Sequence, residues 1–228
     1  MTTRLLLLSL LCLVLITPAT AQILYDNGAV NGTVDAWTIS NGYVVSDTFY
    51  LPQPNTTSGI SFWAWIYPGD TLYSAEVSIT SSANGGTVYF NEVLSAFQAN
   101  CFSNPNGYSV CAESLAIGGN GLALNSGTYW VNLFNASATG GDPVYWDENS
   151  GVGCQSQGCP SQAYDSSAGT IPSEAFSLYG GTATSSSGST PEPRSIFLFA
   201  SGIVGMAGWL ATLSAALAKT TGSFPDVS

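Results

Sequence analysis

Hydrophobic positions divide the chain into two uncharged apolar runs near its ends and a long middle part with short apolar segments. The first run covers residues 5–16 and the second covers residues 196–218. Between them, apolar and aromatic side chains alternate with polar ones and are interrupted by Gly, Pro, Asn and Ser. This pattern is typical of short β-strands joined by tight turns, and it lacks a long stretch with helical periodicity.

Eight segments of the middle part combine β-branched and aromatic residues with alternating polar positions, which predicts strands. They are residues 43–49, 60–67, 75–80, 87–93, 109–117, 128–135, 144–147 and 175–179. Turn signals between them are Asn41-Gly42, Pro68-Gly69, Asn84-Gly85-Gly86, Asn106-Gly107 and Ser126-Gly127. Asn and Gly accept the positive φ angles that tight turns require, so strands and turns predict one antiparallel domain.

We therefore predict that residues 22–181 form an all-β domain, an antiparallel β-sandwich of the jelly-roll type. An immunoglobulin-like or fibronectin-like sandwich is the alternative, but those domains are about 100 residues long and this segment is longer. Residues 182–195 form a predicted linker rich in Ser, Gly, Thr and Pro, and residues 219–228 form a short tail.

The two terminal runs predict export followed by retention in a membrane. Arg4 precedes the first run and Ala19-Thr20-Ala21 follows it. This pattern predicts that residues 1–21 are a signal peptide with a small-residue cleavage site. The second run, residues 196–218, is uncharged and long enough to cross a bilayer as a helix. The membrane is therefore an expected partner of the C-terminal helix.

Pro191-Glu192-Pro193 stands between the polar linker and the terminal apolar run. From the linker onward, this arrangement resembles the bacterial PEP-CTERM sorting signal. The resemblance implies that a membrane enzyme, exosortase, processes the chain near these three residues. It also implies a final place on the cell surface or in the extracellular matrix of a bacterium that makes extracellular polysaccharide. The same tail is also labelled an ice-binding protein C-terminal domain, which describes the tail and implies nothing about ice.

Charge restricts the chemistry of the middle part. The three basic residues, Arg4, Arg194 and Lys219, all lie in the terminal segments, and the chain contains no His. Nucleic acid is excluded as a partner, because nothing in the middle part could neutralise phosphates. The same composition excludes a Ser-His-Asp or Cys-His arrangement, a Schiff-base lysine and a histidine-ligated metal.

Four cysteines remain once the signal peptide with Cys12 is removed. An even number of cysteines in an exported protein favours disulfide bonds. The local pairing, Cys101 with Cys111 and Cys154 with Cys159, fits two short loops best, and each closure contributes about 2 to 3 kcal/mol in the chain-entropy model. A four-thiolate zinc site is the alternative, but the spacings do not match paired zinc knuckles.

The aromatic run at residues 62–67 is a candidate binding surface. Because side chains alternate along a strand, Trp63, Trp65 and Tyr67 share one face while the other face is also apolar. One interpretation is a central strand whose second face is covered by loops. The other is an aromatic platform on which sugar rings stack, with Tyr145 as a further member. Polysaccharide is therefore a candidate partner.

Oxygen-rich side chains predict a candidate calcium site beyond residue 141. Calcium takes carboxylate and amide oxygens from irregular backbone. The candidate ligands are Asp142, Asp147, Glu148, Asn149 and Asp165. The spacing matches no EF-hand loop, and Asp and Asn are also ordinary turn residues, which is the alternative interpretation.

Catalysis with the remaining side chains would need a carboxylate pair, as glycosidases use. Jelly-roll glucanases commonly carry E-x-D-x-E along one strand, whereas Glu76, Glu92 and Glu113 each stand apart from a second acid. We therefore expect a non-enzymatic surface or matrix protein that contacts polysaccharide. A carboxylate-dependent polysaccharide hydrolase is the alternative.

Overall fold

Every regular element that the structure describes is a β-strand, and all named strand pairs are antiparallel. The computed structural model describes residues 21–152, 154 and 156–181. Its strands are β1 (Gln22–Asp26), β2 (Ala36–Thr38), β3 (Val44–Leu51), β4 (Asn55–Ile66), β5 (Leu72–Ser82), β6 (Gly85–Ser103), β7 (Ser109–Ala116), β8 (Leu122–Leu124), β9 (Gly127–Ala138), β10 (Tyr145–Asp147), β11 (Ala163–Asp165), β12 (Gly169–Ile171) and β13 (Phe176–Gly181). The predicted all-β class with antiparallel pairing is thus confirmed.

The main strands pair as a nested series, in which early strands pair with late ones. β1 pairs with β13, β3 with β9, β4 with β7, and β5 with β6. Pairing of β13 with β4 and of β9 with β5 joins these hairpins side by side. The resulting strand orders are β1-β13-β4-β7 and β3-β9-β5-β6, as in a long antiparallel hairpin that is rolled up on itself.

The long strand β6 joins the two layers. Its residues up to Ser95 pair with β5, and those from Ala96 onward pair with β7. Since β6 belongs to both layers, the strands form one curled, sandwich-like sheet.

The hydrophobic core lies between the two layers and is filled by alternate side chains of the strands that line it. On β4, Phe62, Ala64 and Ile66 are fully buried, and Leu133 of β9 is buried with them. Trp146 of β10 is among the largest buried side chains and meets the Phe62 ring edge-on at a centroid distance of 6.0 Å. Each large apolar side chain in this core contributes about 1.5 to 3 kcal/mol on burial, so the core is the main source of stability.

All eight predicted strands are present, and the turns between them have the expected backbone. Two strands are longer than predicted, because β4 begins five residues before its predicted start and β6 ends ten residues after its predicted end. Asn41 and Gly42, for example, have φ angles of 58° and 87°. Five strands were not predicted, namely β1, β2, β8, β11 and β12. Four of these are only three residues long, too short to show a periodic pattern.

Both disulfides have the predicted local pairing. Cys101 on β6 is bonded to Cys111 on β7, beside an irregularity in the pairing of these strands. Cys154 is bonded to Cys159 within the loop that precedes β11. Each bond therefore closes a short segment, as the spacing suggested.

The predictions for the chain ends lie outside the described residues. This holds for residues 1–20 of the predicted signal peptide, for the linker with Pro191-Glu192-Pro193, for the helix at residues 196–218 and for residues 219–228. Within the part of the chain that the structure describes, no helix has the length and apolar character that a bilayer crossing needs.

Candidate functional site

The outer face of β4 carries the aromatic side chains that the sequence pattern singled out. Trp63, Trp65 and Tyr67 lie on the face opposite the core side chains, as the alternation predicted. They differ in exposure, because Trp65 is 5% exposed, Tyr67 is 41% exposed, and Trp63 is half-buried against Phe102. Other parts of the chain thus cover this face at Trp65 and leave it open at Tyr67.

Tyr67, Tyr108 and Tyr145 form one aromatic surface, which we name the tyrosine patch. Tyr108 lies at its centre, with its ring centroid 5.2 Å from that of Tyr67 and 5.6 Å from that of Tyr145. Both flanking rings meet it edge-on, at interplanar angles of 70° and 73°. The buried Trp65 ring supports Tyr108 at a centroid distance of 5.6 Å. The patch offers apolar ring faces together with phenol hydroxyls, which suits an amphipathic ligand such as a sugar ring.

Three separate elements bring these tyrosines together. Tyr67 follows β4 directly, and Tyr145 opens β10, which pairs with β4. Tyr108 ends the turn between β6 and β7. There the side-chain Oδ1 of buried Asn104 accepts hydrogen bonds from two backbone N–H groups of the turn, one of them that of Tyr108. The patch therefore rests on paired strands and on a turn that is fixed from within.

Trp65 is held in place by a hydrogen bond and is not presented as a platform. Its indole Nε1 donates to Oδ1 of buried Asp147 on β10. The same carboxylate accepts the backbone N–H of Asn31 at 2.8 Å and of Gly32 at 3.0 Å, from a loop that covers this part of the sheet. Burial raises the pKa of Asp147 to about 6, and these three donors oppose the rise. Asp147 thus joins Trp65 to the covering loop.

We expect Trp65→Ala to destabilise the domain by about 3 to 5 kcal/mol, because it removes a buried ring and the indole donor of Asp147. Tyr67→Ala removes an exposed ring from the same face and should lower the free energy of unfolding by less than about 1 kcal/mol. Urea denaturation followed by circular dichroism measures both variants. Equal losses would contradict the packing role of Trp65.

Four acids with buried side chains, which we name the acidic layer, are joined by a bridge between Glu148 and Glu174 and by a hydrogen bond from Glu174 to Asp47. They are Asp47, Asp147, Glu148 and Glu174. Asp47 points inward from β3. Its Oδ2 accepts the backbone N–H of Glu174 at 2.6 Å, and its Oδ1 accepts the hydroxyl of Ser161. Burial raises the pKa of Asp47 to about 7, while these donors oppose the rise.

Glu174 has a different environment from Asp47. Its side chain is fully buried, and neither carboxyl oxygen has a hydrogen-bond partner. Burial is the largest cause that raises its pKa, followed by the nearby charge of Asp47. The described residues include no Lys, Arg or His that could compensate the charge. Since an isolated buried carboxylate is strongly disfavoured, we expect Glu174 to keep its proton at neutral pH.

A further acid lies in the core itself. Glu113 occupies an inward position on β7, where it is fully buried and neither carboxyl oxygen has a partner. Burial raises its pKa to about 8. Glu113 therefore favours its neutral form, as Glu174 does.

The candidate calcium ligands lie in separate environments. Asp147 and Glu148 belong to the acidic layer, whereas Asp142 is exposed in the loop before β10. Asp165 caps the turn that follows it by accepting backbone N–H groups, and Asn149 donates its amide to a backbone carbonyl and a serine hydroxyl. Among the described residues, no three His, Cys, Asp or Glu side chains are grouped so that they could hold a metal ion. Calcium binding stays a prediction without a defined site.

Sequence patterns marked some of these residues and not others. No signal marks Tyr108, a lone aromatic residue directly after the Asn106-Gly107 turn. Asp47 and Glu113 do have a signal, because each occupies an inward position of an otherwise apolar alternation. Glu174 lies outside the regular strands, in a bridge to Glu148, and its burial depends on pairing between distant segments.

No protein-family model matches the chain, and no curated protein matches its sequence. Its class is thus defined by fold and surface, as an antiparallel all-β domain with a partly exposed tyrosine patch and a set of buried acids. The carboxyl groups of Asp47, Glu113 and Glu174 have no exposed surface through which they could meet a ligand. In the tyrosine patch, Tyr67 is exposed to solvent, and Tyr108 and Tyr145 are half-buried.

Proposed function

We propose that this protein is an exported bacterial surface or extracellular-matrix protein that binds polysaccharide through the tyrosine patch and has no catalytic activity. The observation that carries the proposal is the contiguous arrangement of Tyr67, Tyr108 and Tyr145, with Tyr67 41% exposed. Each aromatic contact with a sugar ring contributes on the order of 1 kcal/mol, so the affinity of a single site is roughly micromolar to millimolar. Many copies on one surface strengthen such binding through avidity.

The position of the acids supports the non-enzymatic part of the proposal. A glycosidase needs two carboxyl groups on either side of the scissile bond, both in contact with the sugar. A general acid needs a raised pKa. The acids whose pKa is raised furthest are Asp47, Glu113 and Glu174, and all three are buried in the interior. The alternative, a carboxylate-dependent polysaccharide hydrolase, would have to use exposed acids such as Glu92 and Asp142. Release of reducing sugar that is abolished by replacing one of these acids would favour that alternative.

We further propose that the sandwich is a jelly roll, a fold of eight strands in two sheets. The strand orders β1-β13-β4-β7 and β3-β9-β5-β6 support this assignment, because each sheet alternates strands from the first four and the last four of these eight strands. Jelly rolls carry carbohydrate-binding functions in lectin domains, which agrees with the proposed role of the outer face.

For the chain ends we propose removal of the signal peptide and retention by the helix at residues 196–218 until an exosortase acts near Pro191-Glu192-Pro193. The support is the order of polar linker, Pro-Glu-Pro and apolar run in the sequence. The uncharged run is long enough to span a bilayer. The body would then reach the cell surface or the surrounding matrix.

Deletion of residues 191–228 is expected to release the protein into the periplasm or the medium, because the apolar run is its proposed membrane anchor. Membrane fractionation of cells that express the full-length and shortened chains measures this. Replacing Pro191 and Pro193 by Ala should leave membrane association intact and block only processing. A shortened chain that stays in the membrane fraction would contradict the anchor.

A glycan array tests the binding proposal. The full-length protein in detergent is applied to neutral, acidic and amino-substituted polysaccharides, with and without EDTA. Binding that persists with EDTA and is lost with Tyr67→Ala and Tyr145→Ala supports the tyrosine patch. Binding that EDTA abolishes would instead favour a calcium-dependent site.

A further inference from the structure

We infer that the polysaccharide held by the tyrosine patch carries protonated amino groups, as a polymer of partly or fully unacetylated hexosamine does. This inference rests on the proposed function and names its substrate class. Residues 22–190 contain Asp and Glu but no Lys, Arg or His, so every charged side chain that surrounds the patch is acidic.

The charge distribution distinguishes three kinds of polysaccharide. A polymer of uronic acids is repelled by the domain and finds no cationic partner on it. A neutral polymer gains only stacking and hydrogen bonds. A polymer with ammonium groups gains these contacts and is also attracted by the field of the whole domain, which raises its association rate.

The immediate surroundings of the patch favour a cation as well. Asp142 is exposed in the loop that leads into Tyr145 of β10. Its charge reaches the phenol of Tyr67, whose pKa is raised chiefly by hydrogen bonding with Tyr108 and also by Asp142. Asp142 therefore places an exposed carboxylate three residues before Tyr145, in the loop next to the patch.

The tyrosine rings themselves attract cations. The face of an aromatic ring carries partial negative charge, and an ammonium group within about 6 Å of the centroid is stabilised by it. Tyr67 and Tyr145 lie at interplanar angles of 70° and 73° to Tyr108, so the rings of the patch face different directions. A hexosamine unit can thus lay its apolar ring face on one tyrosine while its amino group approaches a second ring face or Asp142.

Binding to glucosamine oligomers of equal length tests this inference. The full-length protein in detergent is titrated at pH 6 with fully N-acetylated and fully deacetylated oligomers and with a matched oligouronate. At low salt we expect the deacetylated oligomer to bind at least about 5-fold more tightly than the acetylated one. In about 0.5 M NaCl this ratio should fall below about 2, because salt screens the charges.

Asp142→Asn should lower the preference for the deacetylated oligomer by at least about 2-fold and leave the acetylated oligomer unaffected. Glu92→Gln, which removes an exposed acid from the part of β6 paired with β5, is the matched control and should have little effect. Equal or tighter binding of the acetylated oligomer or of the oligouronate overturns the inference and leaves the proposed function standing. Failure of all three oligomers to bind overturns both.

Discussion

The domain should melt roughly 10 °C higher at pH 4.5 than at pH 8, the reverse of what paired surface acids would give. The reason is the set of buried acids whose pKa is raised by folding. Burial raises the pKa of Asp147 from 3.8 to about 6, that of Asp47 from 3.8 to about 7, and that of Glu113 from 4.5 to about 8. The pKa of Glu174 is raised well above its ordinary value for the same reason.

Each of these acids binds its proton more tightly in the folded than in the unfolded chain. The stabilising effect of each bound proton is complete below the pKa that the acid has in the unfolded chain, near 4. It is lost as the pH rises through the pKa that the acid has in the folded chain. One pKa unit corresponds to about 1.4 kcal/mol, so together these groups lower the free energy of unfolding by at least about 4 kcal/mol between pH 4 and 8.

Differential scanning calorimetry at constant ionic strength measures this, and repetition in high salt screens repulsion between surface charges. A melting temperature that is equal or higher at pH 8 would show that the acids are not buried as the structure places them.

Glu113→Met should stabilise the domain at pH 8 by about 2 to 4 kcal/mol, because it replaces a buried carboxyl without partners by an apolar side chain of similar length. At pH 4.5, where Glu113 is neutral, the gain should fall to about 1 kcal/mol or less. The pH dependence of the variant should be correspondingly flatter than that of the wild type. Denaturant unfolding at the two pH values measures both effects.

Glu92→Met provides the matched control, since Glu92 is exposed on β6. It should change the free energy of unfolding by less than about 0.5 kcal/mol at either pH. If Glu113→Met destabilises the domain at pH 8, then Glu113 has a partner or a solvent path that the interior of the sandwich does not offer.

Local periodicity was enough to predict most strands and the two faces of β4. The positions of Phe62 and Trp65 relative to the core follow from alternation alone, because successive side chains point to opposite faces. Turn residues such as Asn41-Gly42 marked the ends of strands for a similarly local reason.

Pairing between distant strands could not be predicted in the same way. The nested order depends on β13 inserting between β1 and β4, and no feature of residues 176–181 specifies those partners. The second half of β6 was also missed, because its polar residues hide the alternation where the strand passes from one layer to the other.

In the candidate site, too, local patterns predicted single residues but not the contacts between distant segments. Tyr67 and Tyr145 were predicted from aromatic segments, but their meeting at Tyr108 depends on β10 pairing with β4 and on a turn fixed by Asn104. Trp65 was grouped with them from its shared face. Its burial depends on a loop near Asn31, which lies far away in the sequence.

The most direct test of the proposed function compares two pairs of tyrosines. Tyr67→Ala with Tyr145→Ala removes the flanking rings of the patch. Tyr73→Ala with Tyr164→Ala removes exposed tyrosines from other strands and is the control. Binding of the full-length variants to a polysaccharide that the wild type binds is measured by affinity electrophoresis.

We predict that the patch variant binds at least about 10-fold more weakly than the wild type, since two ring contacts are lost. Its melting temperature should stay within about 3 °C of the wild-type value, and the control variant should bind normally. Wild-type affinity in the patch variant, or an equal loss in the control, would contradict the assignment of polysaccharide binding to the tyrosine patch.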